Sequence, residues 1–250
     1  MKSLLVLIVA VMIAAVSCAQ VRTESNKQAI PDKNNGFVVA ELFTSEGCSS
    51  CPPADKLLEK LQQEDQGKPV YLLAFHVDYW DRLGWKDRFS DPAYTERQRR
   101  YAGWLKLETV YTPQMVINGK SESVGSDERS INKAISKGLE QTTSTTLTLH
   151  AKTAGGTLQV DYQAANDKHA ELVLALVQKS ATSNVKAGEN AGKQLSHAQI
   201  VRQLVQQDVS EAKTITLNLP NDFVANGWEL IGFIQQKSNG HITAAAWVEL

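Results

Sequence analysis

Two cysteines three residues apart, Cys48 and Cys51, carry the chemistry that this sequence advertises. They follow a short apolar run, Phe37 to Phe43, rich in β-branched and aromatic residues, which predicts a buried strand. Thr44 to Gly47 is turn chemistry, with Gly47 free to adopt what the bend demands. Pro52 and Pro53 fit only the first turn of a helix, where their missing N–H groups leave no partner wanting, and Leu57, Leu58 and Leu61 continue it at helical spacing. The pair therefore belongs where a strand hands over to a helix N-terminus, and there the unpaired N–H groups and the helix dipole stabilise a thiolate. As a structural staple the pair is poor: closing a loop of four residues is worth about 2 kcal/mol, against nearly 5 for a loop of about 100. As a closed zinc site it supplies two of four ligands. Cys48, Cys51 and His76, which ends the next strand, form the alternative metal set; otherwise no metal and no cofactor are expected.

The elements that must position this pair follow in order. Pro69 to Asp78 reads as a second buried strand, and Tyr79 to Phe89, dense in aromatics and charges, as a structured loop over one end of the sheet. Asp91-Pro92 opens a helix to about Leu105, with Arg97, Arg99 and Arg100 expected on its solvated face. Met115 to Ile117 is a strand, Asn118-Gly119 a hairpin turn, and Ser126 to Leu139 a last helix. His76, Asp78 and Asp81 could form a polar cluster near the dithiol, but the favoured reading of His76 is a histidine satisfied at a strand end; Trp80, Trp85 and Trp104 line either a groove for a peptide or sugar or an ordinary core and rim. A Thr/Ser run, Thr142 to Thr146, marks a boundary. Beyond it six alternating strands are expected, with Gly155-Gly156 and Asn239-Gly240 as tight turns. One helix is expected among them: Ser196 and Gln199 have capping-box spacing, and Ile200, Val201, Leu204 and Val205 form an apolar stripe. His197 would then lie in that helix's first turn, neutral and structural or at a contact between the halves. The second half reads as a mostly antiparallel β domain, sandwich-like, with this inserted helix.

Met1-Lys2-Ser3 followed by the apolar run Leu4 to Val16 predicts an export signal, too short to span a bilayer. Its end, Ala15-Val16-Ser17-Cys18, resembles a bacterial lipobox and makes Cys18 a candidate lipidation site; cleavage without lipidation is the alternative. Residues 19–35 read as a disordered polar tether, 36–141 as the first folded unit and 145–250 as the second. Once Cys18 is removed or lipidated, Cys48 and Cys51 are the remaining cysteines, in an oxidising compartment where they would rest as a disulfide. A formal net charge of -1 provides no basic face for phosphates and argues against a nucleic-acid partner.

Strand, Cys-Ser-Ser-Cys-Pro, helix, strand, helix, then Thr112-Pro113 before a strand resembles the thioredoxin-fold proteins. The resemblance implies an exposed nucleophile at Cys48, a buried resolving thiol at Cys51, and a cis proline at Pro113. It places Thr112 facing the disulfide, offering backbone to an extended substrate. Ser49 and Ser50 put no positive charge between the cysteines, and Glu41 is the candidate for a buried proton acceptor. The blocks Glu41 to Asp55, His76 to Asp81, Leu83 to Asp87, Thr112 to Gln114 and Gly188 to Lys193 with His197 resemble a secreted bacterial family defined as a domain of unknown function, DUF1223. Together these imply an exported thiol-disulfide oxidoreductase-like protein. Its partners would be protein thiols or disulfides, substrate contacts would come from Thr112, Trp80 and Trp85, and a lipid anchor would hold it in the periplasm or cell envelope. The alternative is a copper-binding or assembly module without catalysis.

Overall fold

The apolar run predicted as a strand forms β2, Val38–Thr44, buried at every position because both faces of the sheet are covered where it lies. The structure is a computed structural model and describes residues 28–29, 36–209 and 212–250. Cys18 and the apolar leader lie outside the described residues. Gln28–Ala29, within the expected tether, form a short strand β1.

After β2 come α1 (Pro52–Glu64), β3 (Val70–His76), a 3-10 turn (Asp78–Leu83), α2 (Pro92–Leu105), β4 (Gln114–Ile117), β5 (Ser121–Val124) and α3 (Glu128–Leu139). Asp91 caps α2 by accepting the N–H of Ala93 at 2.8 Å, as its place before Pro92 predicts. Asn118 and Gly119 both take positive φ in the β4–β5 hairpin, at 50° and 63°. Beyond the Thr/Ser run lie β6 (Leu147–Ala154), β7 (Thr157–Ala164), β8 (Ala170–Asn184), β9 (Gln194–Asp208), β10 (Ala212–Asn218), β11 (Trp228–Gln236) and β12 (Ile242–Glu249).

The inserted helix expected around Ser196 to Val205 is instead strand β9. Its capping-box and i, i+4 spacings are outweighed by antiparallel pairing with β8 that runs from Glu171↔Asp208 to Asn184↔Gln194. A hydrogen-bonded ladder of that length, with buried residues on both strands, overrides a weak local preference.

The fold is mixed α/β, built on a large, mostly antiparallel sheet of order β1-β12-β11-β8-β9-β3-β2-β4-β5. Only β2 with β3 and β3 with β9 run parallel among these pairs. The two halves of the chain meet inside this sheet, at Ala74↔Ile200. Alternate residues then sort into two faces. Val39, Phe43, Leu73, Phe75, Val173, Ala175, Ile231 and Phe233 form one core with Tyr94 and Tyr101 of α2. On the other face, Leu42, Leu72, Ala74 and Met115 pack with Leu57, Leu58 and Leu61 of α1 and Ile131 and Ile135 of α3. Farther along that face a three-stranded sheet, β10-β7-β6, packs on β8, β11 and β12 through Leu149, Leu158, Val160, Leu174 and Leu230.

The arginines of α2 depart from expectation. Arg97 is 2% exposed, with Nε 2.5 Å from Glu41 Oε2 and further hydrogen bonds to Gln235 and Tyr101. Arg100 pairs with Glu171 at 2.5 Å. Arg99 alone of the three keeps the predicted solvated position.

Candidate functional site

Cys48 and Cys51 are disulfide-bonded where β2 gives way to α1, and Cys51 is the N-cap residue of that helix. Ala54 and Asp55 donate their N–H groups to the Cys51 carbonyl at 2.8 and 3.1 Å, so the first turn of α1 is tied to the motif. Both cysteines are 0% exposed, whereas Ser49 and Ser50 between them are exposed. The exposed nucleophile expected at Cys48 is therefore covered. The loop between β8 and β9 is fastened to the motif's backbone, where Asn190 Nδ2 donates to the carbonyls of Glu46 and Cys48, both at 2.9 Å. Glu189 Oε2 accepts the Ser49 N–H at 3.0 Å.

Thr112 and Pro113 sit beside the motif. Ser50 Oγ lies 3.4 Å from the Thr112 carbonyl and 3.3 Å from Cys48 Sγ, and the Thr112–Pro113 peptide is cis. Gly125 allows the approach: a Cβ there would stand 3.0 Å from Pro113 Cβ and 3.2 Å from Ala54 Cβ. Trp80 Nε1 donates to Thr112 Oγ1 at 2.8 Å, and Trp85 Nε1 donates to Glu46 Oε2 at 2.7 Å. Trp80 is thus tied to Thr112 and Trp85 to Glu46, while Trp104 lies at the far end of α2, donating to the Lys237 carbonyl. Gly47 serves close approach rather than an unusual dihedral, since a Cβ there would meet Trp80 Cβ at 3.1 Å.

Flanking the motif is a buried polar cluster. Glu46, Asp55, His76, Asp87 and His197 are each at most 5% exposed. His76 Nδ1 is 2.6 Å from Asp87 Oδ2, and the His76 and His197 rings meet edge to face with centroids 4.9 Å apart. His197 Nε2 approaches Glu46 Oε1 to 3.4 Å and His197 Nδ1 approaches Asp55 Oδ2 to 4.0 Å. Thr44 donates to Asp55 at 2.8 Å. Glu46 Oε1, His76 Nε2 and both His197 nitrogens have no hydrogen-bond partner, which is costly for groups out of water.

The environment sets each charge state by opposing effects. Burial pushes His76 down, but Asp87, with Asp55 and Glu46 behind it, outweighs burial and holds the imidazole above its ordinary value. For Asp87, burial acts upward and is outweighed by His76 and the N–H groups of Glu46 and Phe89, leaving it low. Glu46 is likewise held low: burial acts upward, and His197 and the Trp85 indole prevail. Asp55 goes the other way, because burial prevails over His197, His76 and Thr44 and raises its carboxyl. The raised Asp55 carboxyl and the lowered Glu46 carboxylate both face His197, an arrangement suited to moving protons.

Of the cluster expected near the dithiol, His76 is present, while Asp78 accepts from Thr95 and Asp81 from Ser90 and the Asp87 N–H, outside it. Glu41, the candidate acceptor, is taken by Arg97 and Tyr101 on the α2 face. Asp55, Asp87, Glu46 and Asn190 were missed as site residues; Asp55 alone carried a local signal, standing one helical turn after Cys51. Among the described residues no group of three or more His, Cys, Asp or Glu is arranged to hold a metal ion, the set Cys48, Cys51 and His76 included. Nor is any described helix long and apolar enough to cross a membrane.

No curated protein matches the chain. Among solved structures, an uncharacterised Agrobacterium tumefaciens protein is 32% identical, with a TM-score of 0.63 over 84% of this chain and 93% of that one. A domain of the outer membrane lipoprotein Omp28 from Porphyromonas gingivalis is 11% identical over 44% of this chain and 90% of that one, with a TM-score of 0.27, a likeness too slight to build on. The model of the family described as "Protein of unknown function (DUF1223)" matches residues 39–235, and the chain belongs to that family.

Proposed function

We propose that this protein is an exported thiol-disulfide oxidoreductase with a thioredoxin-like arrangement around Cys48 and Cys51. The observation that carries the reading is the disulfide at the start of α1, with the Thr112 carbonyl 3.4 Å from Ser50 Oγ between the two cysteines. In the oxidising direction, a substrate thiolate attacks one sulfur of the Cys48–Cys51 bond. The other sulfur leaves as a thiolate, and a mixed disulfide forms. A second substrate thiolate then displaces the protein sulfur, so the substrate is oxidised and the dithiol reduced. The reverse sequence reduces a substrate disulfide. Either way two protons accompany two electrons, and the raised Asp55 carboxyl and the His76–Asp87 pair would exchange them. Thr112 would offer its backbone to an extended substrate, and the Trp80 and Trp85 indoles would contact it. Cleavage after the apolar leader, with lipidation at Cys18, would hold the protein at the cell envelope. Its partners would be protein thiols or disulfides.

Equilibrating the protein with glutathione redox mixtures and counting free thiols tests this reading. A single two-electron transition, with exchange of a test protein disulfide at catalytic protein concentration, is expected. A dithiol that titrates but exchanges no protein disulfide would overturn it.

A further inference from the structure

The β8–β9 loop, Val185 to Lys193, is built to be one piece. Gly192 donates to the Val185 carbonyl at 2.8 Å, Val185 to Lys193 at 3.0 Å, Ala191 to Gly188 at 3.2 Å and Lys193 to Asn190 at 3.1 Å. Gly188 and Gly192 take φ of 73° and 80°, values that glycine accepts without strain. What joins this unit to the dithiol is side-chain chemistry. Asn190 is 0% exposed, its amide nitrogen bonds two carbonyls that bracket Gly47, and its oxygen accepts from Lys193 Nζ at 2.9 Å. Glu189 holds the exposed Ser49 N–H, leaving that donor closed to a substrate carbonyl.

From this geometry we infer that the loop is a strap that governs access to Cys48, with Asn190 as its latch. The inference deepens the proposed exchange reaction by naming what decides which thiols reach the disulfide. Both cysteines are 0% exposed, and on this inference lifting the strap is what admits a reagent or partner protein to the sulfurs. A partner whose own backbone or side chains satisfy the Glu46 and Cys48 carbonyls and the Ser49 N–H holds it open. Asn190 and Glu189 are thus specificity-determining positions and not catalytic ones.

Chemical reduction tests the strap independently of any enzymatic activity. The lone pair of a water-soluble phosphine breaks the Cys48–Cys51 bond; water supplies oxygen and protons, giving the phosphine oxide and two thiols. Asn190→Ala removes both hydrogen bonds to the motif and should raise the rate of this reduction about tenfold or more; global stability falls with it, but below the unfolding transition the rate should stay nearly independent of denaturant, as a local opening requires. Glu189→Ala, at an exposed residue, should raise it less and still measurably. An unchanged rate in both variants overturns the inference, as does a rate that climbs with denaturant as steeply as global unfolding does. If Asn190→Ala does not fold, Glu189→Ala decides the matter alone. Should the strap result hold while the glutathione and exchange assays fail, the gate stands and the oxidoreductase reading falls.

Discussion

His76 and Asp87, eleven residues apart in sequence, face each other at 2.6 Å in a site where neither is more than 1% exposed. Because the folded His76 pKa lies above the ordinary 6.5, its contribution is complete below that pH and is lost as pH rises through the raised value. Asp87, held below its ordinary 3.8, contributes above that pH and loses its contribution as pH falls through the lowered value. Asp55, raised from 3.8, favours the folded state in its protonated form and so also withdraws stability as pH climbs. The expected outcome is greatest stability on the mildly acid side of neutrality, declining as pH rises beyond about 6.5. Denaturant midpoints measured across that range check it, and His76→Gln should flatten the decline. An identical slope in wild type and variant would refute it.

Arg97 and Glu41 predict a different signature, since neither side of that pair faces water. Removing one partner leaves a buried charge uncompensated and costs about 3–5 kcal/mol. Arg97→Met should therefore be strongly destabilising. Adding Glu41→Gln to it should recover part of the loss, because the orphaned carboxylate is gone. Chemical denaturation of the two single variants and the double gives the coupling directly, and simple additivity would contradict the pairing.

How far the sequence disclosed this arrangement depends on the range over which each signal acts. β2, α1, β3, α2 and α3 were legible because buried runs, Pro52-Pro53, Asp91-Pro92 and helical leucine spacing are local. β9 was not: Ile200-Val201 and Leu204-Val205 fit a helical stripe as well as a strand, and only pairing with β8 settles the choice. That misreading hid the site's far wall, since His197 faces the cluster only because β9 is a strand. Asn190 and Arg97 were hidden for a related reason. Asn190 meets Cys48 across 142 residues and Arg97 meets Glu41 across 56, and nothing in the local pattern of either announces a buried partner. The change of texture after Thr146 did announce antiparallel strands, but not that one of them would join β3.

Gly47 allows a test of how closely the aromatic turn must seat on the motif. A methyl group there would stand 3.1 Å from Trp80 Cβ and 3.6 Å from the Trp80 carbonyl, so the turn must shift by a few tenths of an ångström. Trp80 in turn holds Thr112 through its indole N–H. Gly47→Ala should cost about 1–3 kcal/mol, as overpacking typically does. Because the Trp80–Thr112 bond is disturbed, it should also slow thiol-disulfide exchange more than Arg97→Met slows it in the folded fraction. Equal effects of the two variants on exchange would mean that the seating of Trp80 does not matter to the dithiol.

The stacking of the small sheet on the large one yields the last prediction, and Gly232 is where it can be probed. Gly232 lies on β11, paired with Leu174 of β8, and a Cβ there would meet Leu149 Cδ1 at 2.8 Å and Leu174 Cδ2 at 2.9 Å. Leu149 belongs to β6 in the other sheet and is 0% exposed, so the glycine is a notch into which a leucine from the facing layer fits. Filling the notch forces both leucines off their rotamers, at a cost of about 1–3 kcal/mol. If the clash is with Leu149, shortening that side chain should relieve it. Leu149→Val alone should destabilise by opening a small void, yet Gly232→Ala combined with Leu149→Val should be more stable than the sum of the two losses predicts. A favourable coupling of about 0.5 kcal/mol or more, measured by chemical denaturation, is the expected result. Strict additivity would show that Gly232 and Leu149 are not in contact and that the two sheets do not interlock there.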